Sequence, residues 1–288
     1  MKKLSTFFII AAGMLWGLMG VFSNTLSKIG FSSMEGTAIR LISCALIFII
    51  INFKKLKINP KDIWQFVLIG VFSIFAMSFT YFESIKCSSL TVASVLLYTA
   101  PIMVTLMSYI FYHEQMTLKK LLCLIGSVLG VVLISGVDKT VNITSRGLVY
   151  GILSGFSYAL YSILGKMILK KYEPITVASY AFIFAALCSL FTVDFGYIAN
   201  VVTRSENIIK TLSVMVGCGI VTAAIPYTLY TLGLKNTPAG KASVLACVEP
   251  LTATLFGVTI YGDKLGIVSV TGIVLIILSV GVLSYKNS

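Results

Sequence analysis

The chain has 288 residues, of which 58% are hydrophobic and only 11% charged, and its mean hydropathy is +0.99. Soluble domains carry roughly 25% charged residues, so this composition excludes a soluble globular protein. The net charge of +12 does not indicate nucleic-acid binding, because the lysines fall between apolar runs, as in the cytoplasmic loops of membrane proteins.

Apolar runs of about 20 residues recur along the chain, each long enough to cross ~30 Å of hydrocarbon. Lipid offers no hydrogen-bond partners to a loose backbone, so the predicted fold class is an all-α integral membrane protein with ten transmembrane helices. The predicted spans are 4–27, 34–53, 63–84, 89–111, 117–137, 147–169, 174–195, 208–232, 239–261 and 265–284. The first run is too long for a signal peptide, so we expect an uncleaved helix. Segment 196–207 is predicted to be a short amphipathic excursion.

The loop charges predict the orientation. With the N-terminus inside, thirteen lysines fall on the inner loops, against seven lysines and arginines on the outer ones. The excess predicts that both termini are cytoplasmic and that the protein lies in the cytoplasmic membrane.

The sequence contains an internal repeat. A shift of 149 residues places Tyr81 on Tyr230, Pro101 on Pro250, and Ala93-Ser94-Val95-Leu96 on Ala242-Ser243-Val244-Leu245 without a gap. The predicted domains are therefore a first five-helix repeat at 1–137, an outer connecting loop at 138–146 and a second repeat at 147–288. Because five is odd, the second repeat enters the membrane from the opposite side, an inverted arrangement common among secondary transporters.

Several short motifs carry a family resemblance over the whole chain. They are Trp16-Gly17, Arg40, Tyr81, Ala93-Ser94, Pro101 and Glu114 in the first half, and Tyr158-Ala159, Tyr230, Ala242-Ser243, Glu249-Pro250 and Asp263 in the second. With the five-plus-five plan, these residues resemble the EamA-type branch of the drug/metabolite transporter superfamily. The resemblance implies alternating-access transport of small organic solutes and leaves the substrate open. The chain departs from the family pattern at Tyr158, where a tryptophan is frequent, and at Asp263, where a glutamate is usual.

Glu249 is the sharpest candidate for a functional residue, because it lies at the centre of a predicted span. A carboxylate at that depth costs several kcal/mol unless it faces a polar cavity or takes up a proton. The alternative is a structural carboxylate that satisfies the backbone where Pro250 breaks the helix. Pro101 and Pro250 are predicted helix breaks and candidate hinges, with an ordinary kink as the alternative.

Aromatic residues and one arginine complete the candidate substrate site. Some of the aromatics are expected to line a central cavity and others to pack or to lie at the membrane interface; they are Trp16, Tyr81, Tyr98, Tyr158, Tyr161, Tyr227 and Tyr230. Arg40 would attract an anionic group of the substrate, although snorkelling to the headgroups, or pairing with Glu35, is the favoured interpretation. Lys166 is also expected to snorkel.

Two further features have structural interpretations. Glu114 and Asp263 are each predicted to cap the helix that follows them. Gly126 and Gly130 permit a close helix contact, either between the halves or between subunits.

Other chemistries find no support in the sequence. The six cysteines and the single histidine, His113, form no metal or redox motif, and no nucleotide-binding loop or hydrolase elbow occurs. We therefore expect no enzymatic activity, no cofactor and no metal. The expected partners are a small-molecule substrate, membrane lipid, protons if transport is coupled, and a second copy if the protein is a homodimer; no nucleic acid is expected.

The predicted function is secondary transport of a small organic metabolite, an amino acid or a similar solute, with export and proton coupling as open variants. The alternatives are a multidrug or organic-cation carrier, a membrane enzyme acting on lipids, and a non-transporting receptor or assembly factor. A cation carrier would use Glu249 as the counter-charge, whereas an amino-acid exporter would use Glu249 or Arg40 for the ends of the zwitterion.

Overall fold

The structure, a computed structural model, describes residues 2–52, 57–135, 144–262 and 266–285, and within these ranges all regular secondary structure is helical. The helices are α1 (Lys2–Trp16), α2 (Met19–Ile29), α3 (Ser33–Asn52), α4 (Ile63–Val67), α5 (Ala76–Cys87), α6 (Leu90–Leu97), α7 (Ala100–Tyr112), α8 (Leu118–Ser135), α9 (Ser145–Ile168), α10 (Pro174–Ser189), α11 (Phe195–Arg204), α12 (Ile208–Gly219), α13 (Ile225–Asn236), α14 (Ala239–Ala246), α15 (Glu249–Tyr261) and α16 (Ile267–Ser284). A 3₁₀ turn at Pro60–Asp62 precedes α4, and π-helical segments at Leu68–Phe75 and Ile220–Ala224 lead into α5 and α13.

Nine helical stretches in the described ranges are long and apolar enough to cross a bilayer. They coincide with nine of the predicted spans, so the all-α membrane fold is confirmed. The tenth predicted span, 174–195, contains α10, an apolar helix of 16 residues, which is short against the ~20 residues that a straight crossing needs. The count of ten crossings therefore stays a prediction.

The outside of the bundle is apolar. Large side chains such as Phe191, Ile209 and Ile267 are among the most exposed residues of the molecule. A water-soluble protein does not leave so much contiguous apolar surface uncovered, whereas a hydrocarbon environment requires it.

Helix α11 is the predicted amphipathic excursion. Asp194 caps its first turn by accepting from the amides of Gly196 and Tyr197. Its apolar face packs on a small satellite core formed by Leu26, Phe31, Ile39 and Cys218. The helix therefore covers one end of the bundle and does not cross it.

The internal duplication is visible in the helix boundaries. Under the 149-residue shift, α5, α6, α7 and α8 begin and end at the same positions as α13, α14, α15 and α16. Even the interruption between α6 and α7 coincides with the interruption between α14 and α15.

The two copies run in opposite directions. Helix α13 ends where α1 begins, since a side chain added at Gly233 would lie 2.7 Å from the Ser5 carbonyl. Helix α5 ends at the opposite pole, where Ser84 donates to the Gly147 carbonyl at 2.8 Å. We call the pole that carries the start of α1 and the end of α16 the terminal end, and the other pole the far end.

The halves are joined tightly along α8 and α16. A side chain added at Gly130 would lie 2.7 Å from the Gly272 carbonyl, and one added at Gly126 would lie 2.5 Å from the Ser279 hydroxyl. Small residues at such positions let helix backbones approach closely in lipid, where the hydrophobic effect does not drive helices together. The glycine pair therefore serves a contact between the halves of one chain, and not a contact between subunits.

This contact predicts the effect of adding one methyl group. Gly130→Ala forces the new methyl against the Gly272 carbonyl, and such overpacking costs about 1–3 kcal/mol. Gly281→Ala, on α16, is the matched control because nothing lies within 4 Å of its added side chain. The control is expected to be neutral or slightly stabilising, since alanine favours helix over glycine. Thermal unfolding in detergent measures both, and equal midpoints would contradict the proposed packing.

Candidate functional site

In the part of the chain that the structure describes, three helices are interrupted near the middle of the bundle. Two interruptions are the predicted ones: Pro101 and Pro250 each occupy the second position of a new helix, α7 and α15. The third separates α1 from α2 at Gly17 and Leu18, and the sequence prediction missed it. No proline marks this break, although the Gly13-x-x-x-Gly17 spacing indicates a close helix approach.

The glycines of α1 bring its end against the second proline break. A side chain added at Gly13 would lie 2.6 Å from Val248, and one added at Gly17 would lie 2.8 Å from the carbonyl of Glu249. Only glycine permits this approach, which places Trp16, the last residue of α1, beside the start of α15.

Trp16 is the centre of an aromatic cluster. Its ring lies 5.0 Å from the ring of Tyr227, 5.3 Å from that of Tyr230 and 6.2 Å from that of Tyr158, and Tyr161 contacts Tyr227 at 5.0 Å. Edge and tilted contacts at these distances are favourable. The structure thus brings together five of the predicted aromatic residues from α1, α9 and α13.

Hydrogen bonding divides this cluster. The hydroxyl of Tyr161 is bonded to Thr231 and that of Tyr230 to Ser162, both at 2.7 Å. These two tyrosines are almost fully buried, so they form the rigid back wall of the site. Tyr158 is only partly buried and is better placed to meet a ligand.

Phe182 extends the wall on α10, where its ring lies 4.7 Å from that of Tyr227. The sequence prediction omitted this residue, because α10 carries no charged residue and no internal break that would have drawn attention to it.

Glu249 is the first residue of α15 and is partly buried. The hydroxyl of Tyr98, the residue that ends α6, is its hydrogen-bond partner. The free amides at the start of α15 also favour a negative charge there. Tyr81 lies on the same side, with its hydroxyl 2.9 Å from that of Ser94, and within electrostatic range of Glu249.

Arg40 is buried on α3, with only 2% of its surface exposed, so the expectation that it snorkels to the headgroups is wrong. It does not pair with Glu35, whose carboxylate accepts instead from the amide of Ser32 at 2.7 Å. One guanidinium nitrogen contacts the Met19 sulfur at 3.2 Å, and the guanidinium lies near the hydroxyl of Tyr227.

Several donors of the site are unsatisfied. Within the described part of the chain, Nε and Nη2 of Arg40 and Nε1 of Trp16 are buried without a hydrogen-bond partner. Native structures rarely leave such groups unpaired, and each case indicates a function, an absent water or an absent ligand. Since all three atoms are donors, the missing partner is an acceptor.

A narrow cleft connects Arg40 with the far end of the bundle. Its lining includes the hydroxyls of Ser23, Ser27, Ser32 and Thr37. The enclosed volume is about 30 Å³, which is room for a water molecule but not for an organic solute. In this conformation Arg40 is therefore reached from the far end through a constricted path.

Two charged residues predicted to act locally instead bridge helices. Glu114 does not cap α8, where Thr117 accepts from the Lys120 amide; it accepts from the amide of Ala239, at the start of α14, at 2.6 Å. Lys166 does not snorkel but donates to the carbonyls of Leu234 and Thr237 at the end of α13. Asp263, the equivalent of Glu114, lies outside the described residues.

A metal centre finds no support in the described ranges, where no three His, Cys, Asp or Glu side chains come together. His113 lies at the end of α7 with a positive φ of 51° and terminates that helix. The chemistry of the site is thus that of charge, hydrogen bonding and aromatic contact.

Comparison with known proteins gives a consistent result. The model of the EamA-like transporter family matches residues 3–136 and again 145–285. An uncharacterized transporter of Archaeoglobus fulgidus is 28% identical, with 88% of each chain covered. The uncharacterized inner membrane transporter YicL of Salmonella typhimurium is 24% identical over 97% of this chain and 94% of its own. A solved crystal structure, 16% identical, superposes with a TM-score of 0.79 over 98% of both chains and shows the same fold.

The unsatisfied donors predict how the site distinguishes ligands. Replacing Trp64, an exposed residue, with Phe leaves Trp16 as the single tryptophan, so its fluorescence reports occupancy of the site. A solute that carries a carboxylate should bind about 10- to 100-fold more weakly to Arg40→Gln, because a hydrogen bond to a charged group contributes ~1.5–3 kcal/mol.

The matched control for this measurement is the carboxamide of the same solute, whose affinity should not change. Arg40→Lys should retain part of the discrimination, since it keeps the charge but loses the planar fork. An equal loss for acid and amide in Arg40→Gln would show that the residue has only a structural role.

Proposed function

Because this chain belongs to the EamA-like transporter family, a family of multi-pass membrane transporters, we propose that it is a secondary transporter of a small zwitterionic metabolite such as an amino acid. The observation that carries the proposal is the buried guanidinium of Arg40 with two unsatisfied donors, within electrostatic range of Glu249. Transport takes place across the cytoplasmic membrane by alternating access.

The positive end of the site determines what the substrate must supply. A buried cation without a full set of acceptors is destabilising, and intramembrane charges are retained where function requires them. A substrate carboxylate provides two acceptor oxygens, which match the planar donors of an arginine. The Trp16 indole adds a third donor in the same region.

The negative end of the site is Glu249. Its carboxyl accepts a substrate ammonium or a proton, but not both at once. Competition between the ammonium and the proton couples proton movement to substrate movement. A ligand shifts the equilibrium between the two conformations of a transporter only if its affinity for them differs. The aromatic walls hold the substrate's apolar part between these ends.

The interrupted helices support alternating access. Helix breaks that lie in opposite halves of an inverted repeat place free backbone groups around a midplane site and let each half move. In this chain the breaks at Pro101 and Pro250 occupy equivalent positions and flank the Tyr98–Glu249 pair.

An organic-cation carrier is the second candidate. A cation over tyrosine and tryptophan rings with a glutamate beside them is a favourable arrangement, and Arg40 would then have only a packing role against Met19. Transport of a permanently cationic dye that is insensitive to Arg40→Gln would favour this alternative over the zwitterion.

The orientation belongs to the same proposal and predicts a labelling result. Lys86 and Lys235 are equivalent under the repeat and both are solvent-exposed. In a cysteine-free background, Lys235→Cys should react with an impermeant maleimide only from the cytoplasmic side and Lys86→Cys only from the outside. Labelling of both from one side would overturn the inverted topology, and exchanged sides would reverse the orientation.

The central prediction concerns Glu249→Gln. Glutamine is nearly isosteric and still bonds to Tyr98, so we expect the protein to fold and insert normally. It cannot exchange a proton, so proton-driven accumulation should be abolished and the pH dependence of transport should flatten, while substrate exchange persists. Transport of amino acids into proteoliposomes, with and without an imposed proton gradient, measures each of these quantities.

Glu173→Gln is the control, because Glu173 is an exposed acid whose partner among the described residues is Lys235, at 3.2 Å. It should transport like the parent protein. If Glu249→Gln retains both the rate and the pH profile of the parent, the carboxyl is a structural cap, and proton coupling through it is wrong.

A further inference from the structure

Helix α14 has an unusual N-terminus. Its preceding residue is Pro238, which provides no side-chain hydrogen bond to the free amides of the first turn. Its equivalent in the first half, α6, is capped within its own half by Ser89, which accepts from the Val92 amide at 3.2 Å. The free amides of α14 must therefore be satisfied from elsewhere.

Glu114 supplies the missing cap from the other half of the protein. Its carboxylate accepts from the amide of Ala239 at 2.6 Å and from that of Gly240 at 3.3 Å. Lys120 pairs with the same carboxylate at 3.1 Å, and both side chains are nearly buried. Charge-assisted hydrogen bonds of this kind are roughly twice as strong as neutral ones.

The local backbone is shaped for this contact. His113, just before Glu114, adopts a positive φ, which is uncommon for a non-glycine residue and turns the chain at the end of α7. Gly240 leaves room for the Lys120 ammonium, which would lie 2.6 Å from any side chain added there. The equivalent residues of the first half are the larger Leu90 and Thr91.

The two ends of the bundle also differ in packing, which is tighter at the terminal end than at the far end. At the terminal end α14 packs along α7, and a side chain added at Gly240 would lie 3.3 Å from the Cα of Thr105. At the far end the equivalent pair, α6 and α15, forms no comparable contact among the described residues. The narrow cleft that reaches Arg40 lies toward that same far end. A wider pocket of about 330 Å³ lies at the terminal end, but Glu114 and Lys120 line it and neither Arg40 nor Glu249 does.

From these observations we infer that the contact of Glu114 with the first turn of α14, supported by Lys120, holds the terminal end of the translocation pathway closed. Opening this end requires α14 to separate from α7. This breaks the two hydrogen bonds that Glu114 accepts and leaves the amides of Ala239 and Gly240 unpaired again. The contact thus determines the balance between the state described here and a state open at the terminal end. The inference rests on the transport function proposed above.

The chain contains a natural reporter for the test. Cys247 follows α14, is only 2% exposed and lies two residues from Glu249. With Cys44, Cys87, Cys123, Cys188 and Cys218 replaced by alanine, its reaction rate with an impermeant methanethiosulfonate reports access to the centre. The reagent is applied to each side of sealed vesicles in separate experiments.

We expect Glu114→Gln and Glu114→Ala to raise the reaction rate of Cys247 from the terminal side by about tenfold or more. Losing a hydrogen bond to a charged group changes the ratio of open to closed states by about this factor. The rate from the far side should fall or stay constant. Glu114→Asp, which keeps the charge on a shorter side chain, should give an intermediate rate. Glu173→Gln, at the same end of the bundle, is the control and should leave both rates unchanged.

Two outcomes would overturn the inference. An unchanged rate from the terminal side would show that Glu114 does not hold that end closed. An equal rise from both sides, with a lower thermal midpoint, would show general loosening of the fold. The assay needs neither substrate nor a proton gradient, so its failure is distinguishable from a failure of the proposed zwitterion transport.

Discussion

A backbone surrounded by lipid has to satisfy its own hydrogen bonds, and the structure depends on this constraint. Interrupted helices are tolerated only where protein encloses them. The breaks after Trp16, Leu97 and Ala246 all lie at the centre of the bundle. Each break frees backbone groups and allows a side chain to point into shared space. Trp16, Tyr98 and Glu249 all lie beside such a break, so the site follows from where the helices are discontinuous.

The duplicated halves agree in backbone and differ in chemistry. Their helix boundaries coincide under one shift from α5 to α8 and from α13 to α16. The side chains diverge where charge is needed, because Glu249 has Ala100 as its counterpart. The first residues of α14 and α6 also differ: α14 begins with Ala239-Gly240, whereas α6 begins with Leu90-Thr91. A symmetric scaffold thus carries an asymmetric site, which allows one conformation to close one end more tightly than the other.

Most of the architecture was predictable from the sequence, because span length, the proline breaks and the ungapped repeat are local or periodic signals. The break at Gly17 was not, since glycines such as Gly130 and Gly272 lie within continuous helices of the same chain and a glycine alone does not mark a break. The surroundings of Arg40 and the partner of Glu114 were also missed. Both depend on which helices lie side by side in the fold. A carboxylate that caps a helix 125 residues away has no recognisable signal in the residues around it in the sequence.

The two key carboxylates lie near opposite ends of α14. Glu114 contacts the first turn of α14, and Glu249 begins α15, with the eight residues of α14 between them. A helix of that length is a rod of about 12 Å, and two turns are too short to bend without a break. Glu249 lies beyond the interruption at Cys247 and Val248, so we expect a change in what its carboxyl binds to reach the Glu114 end across one break and one short rigid helix. The binding proposed for the centre and the closure inferred for the terminal end are thus separated by this break and this helix alone, and coupling between them would not require a long chain of side-chain rearrangements.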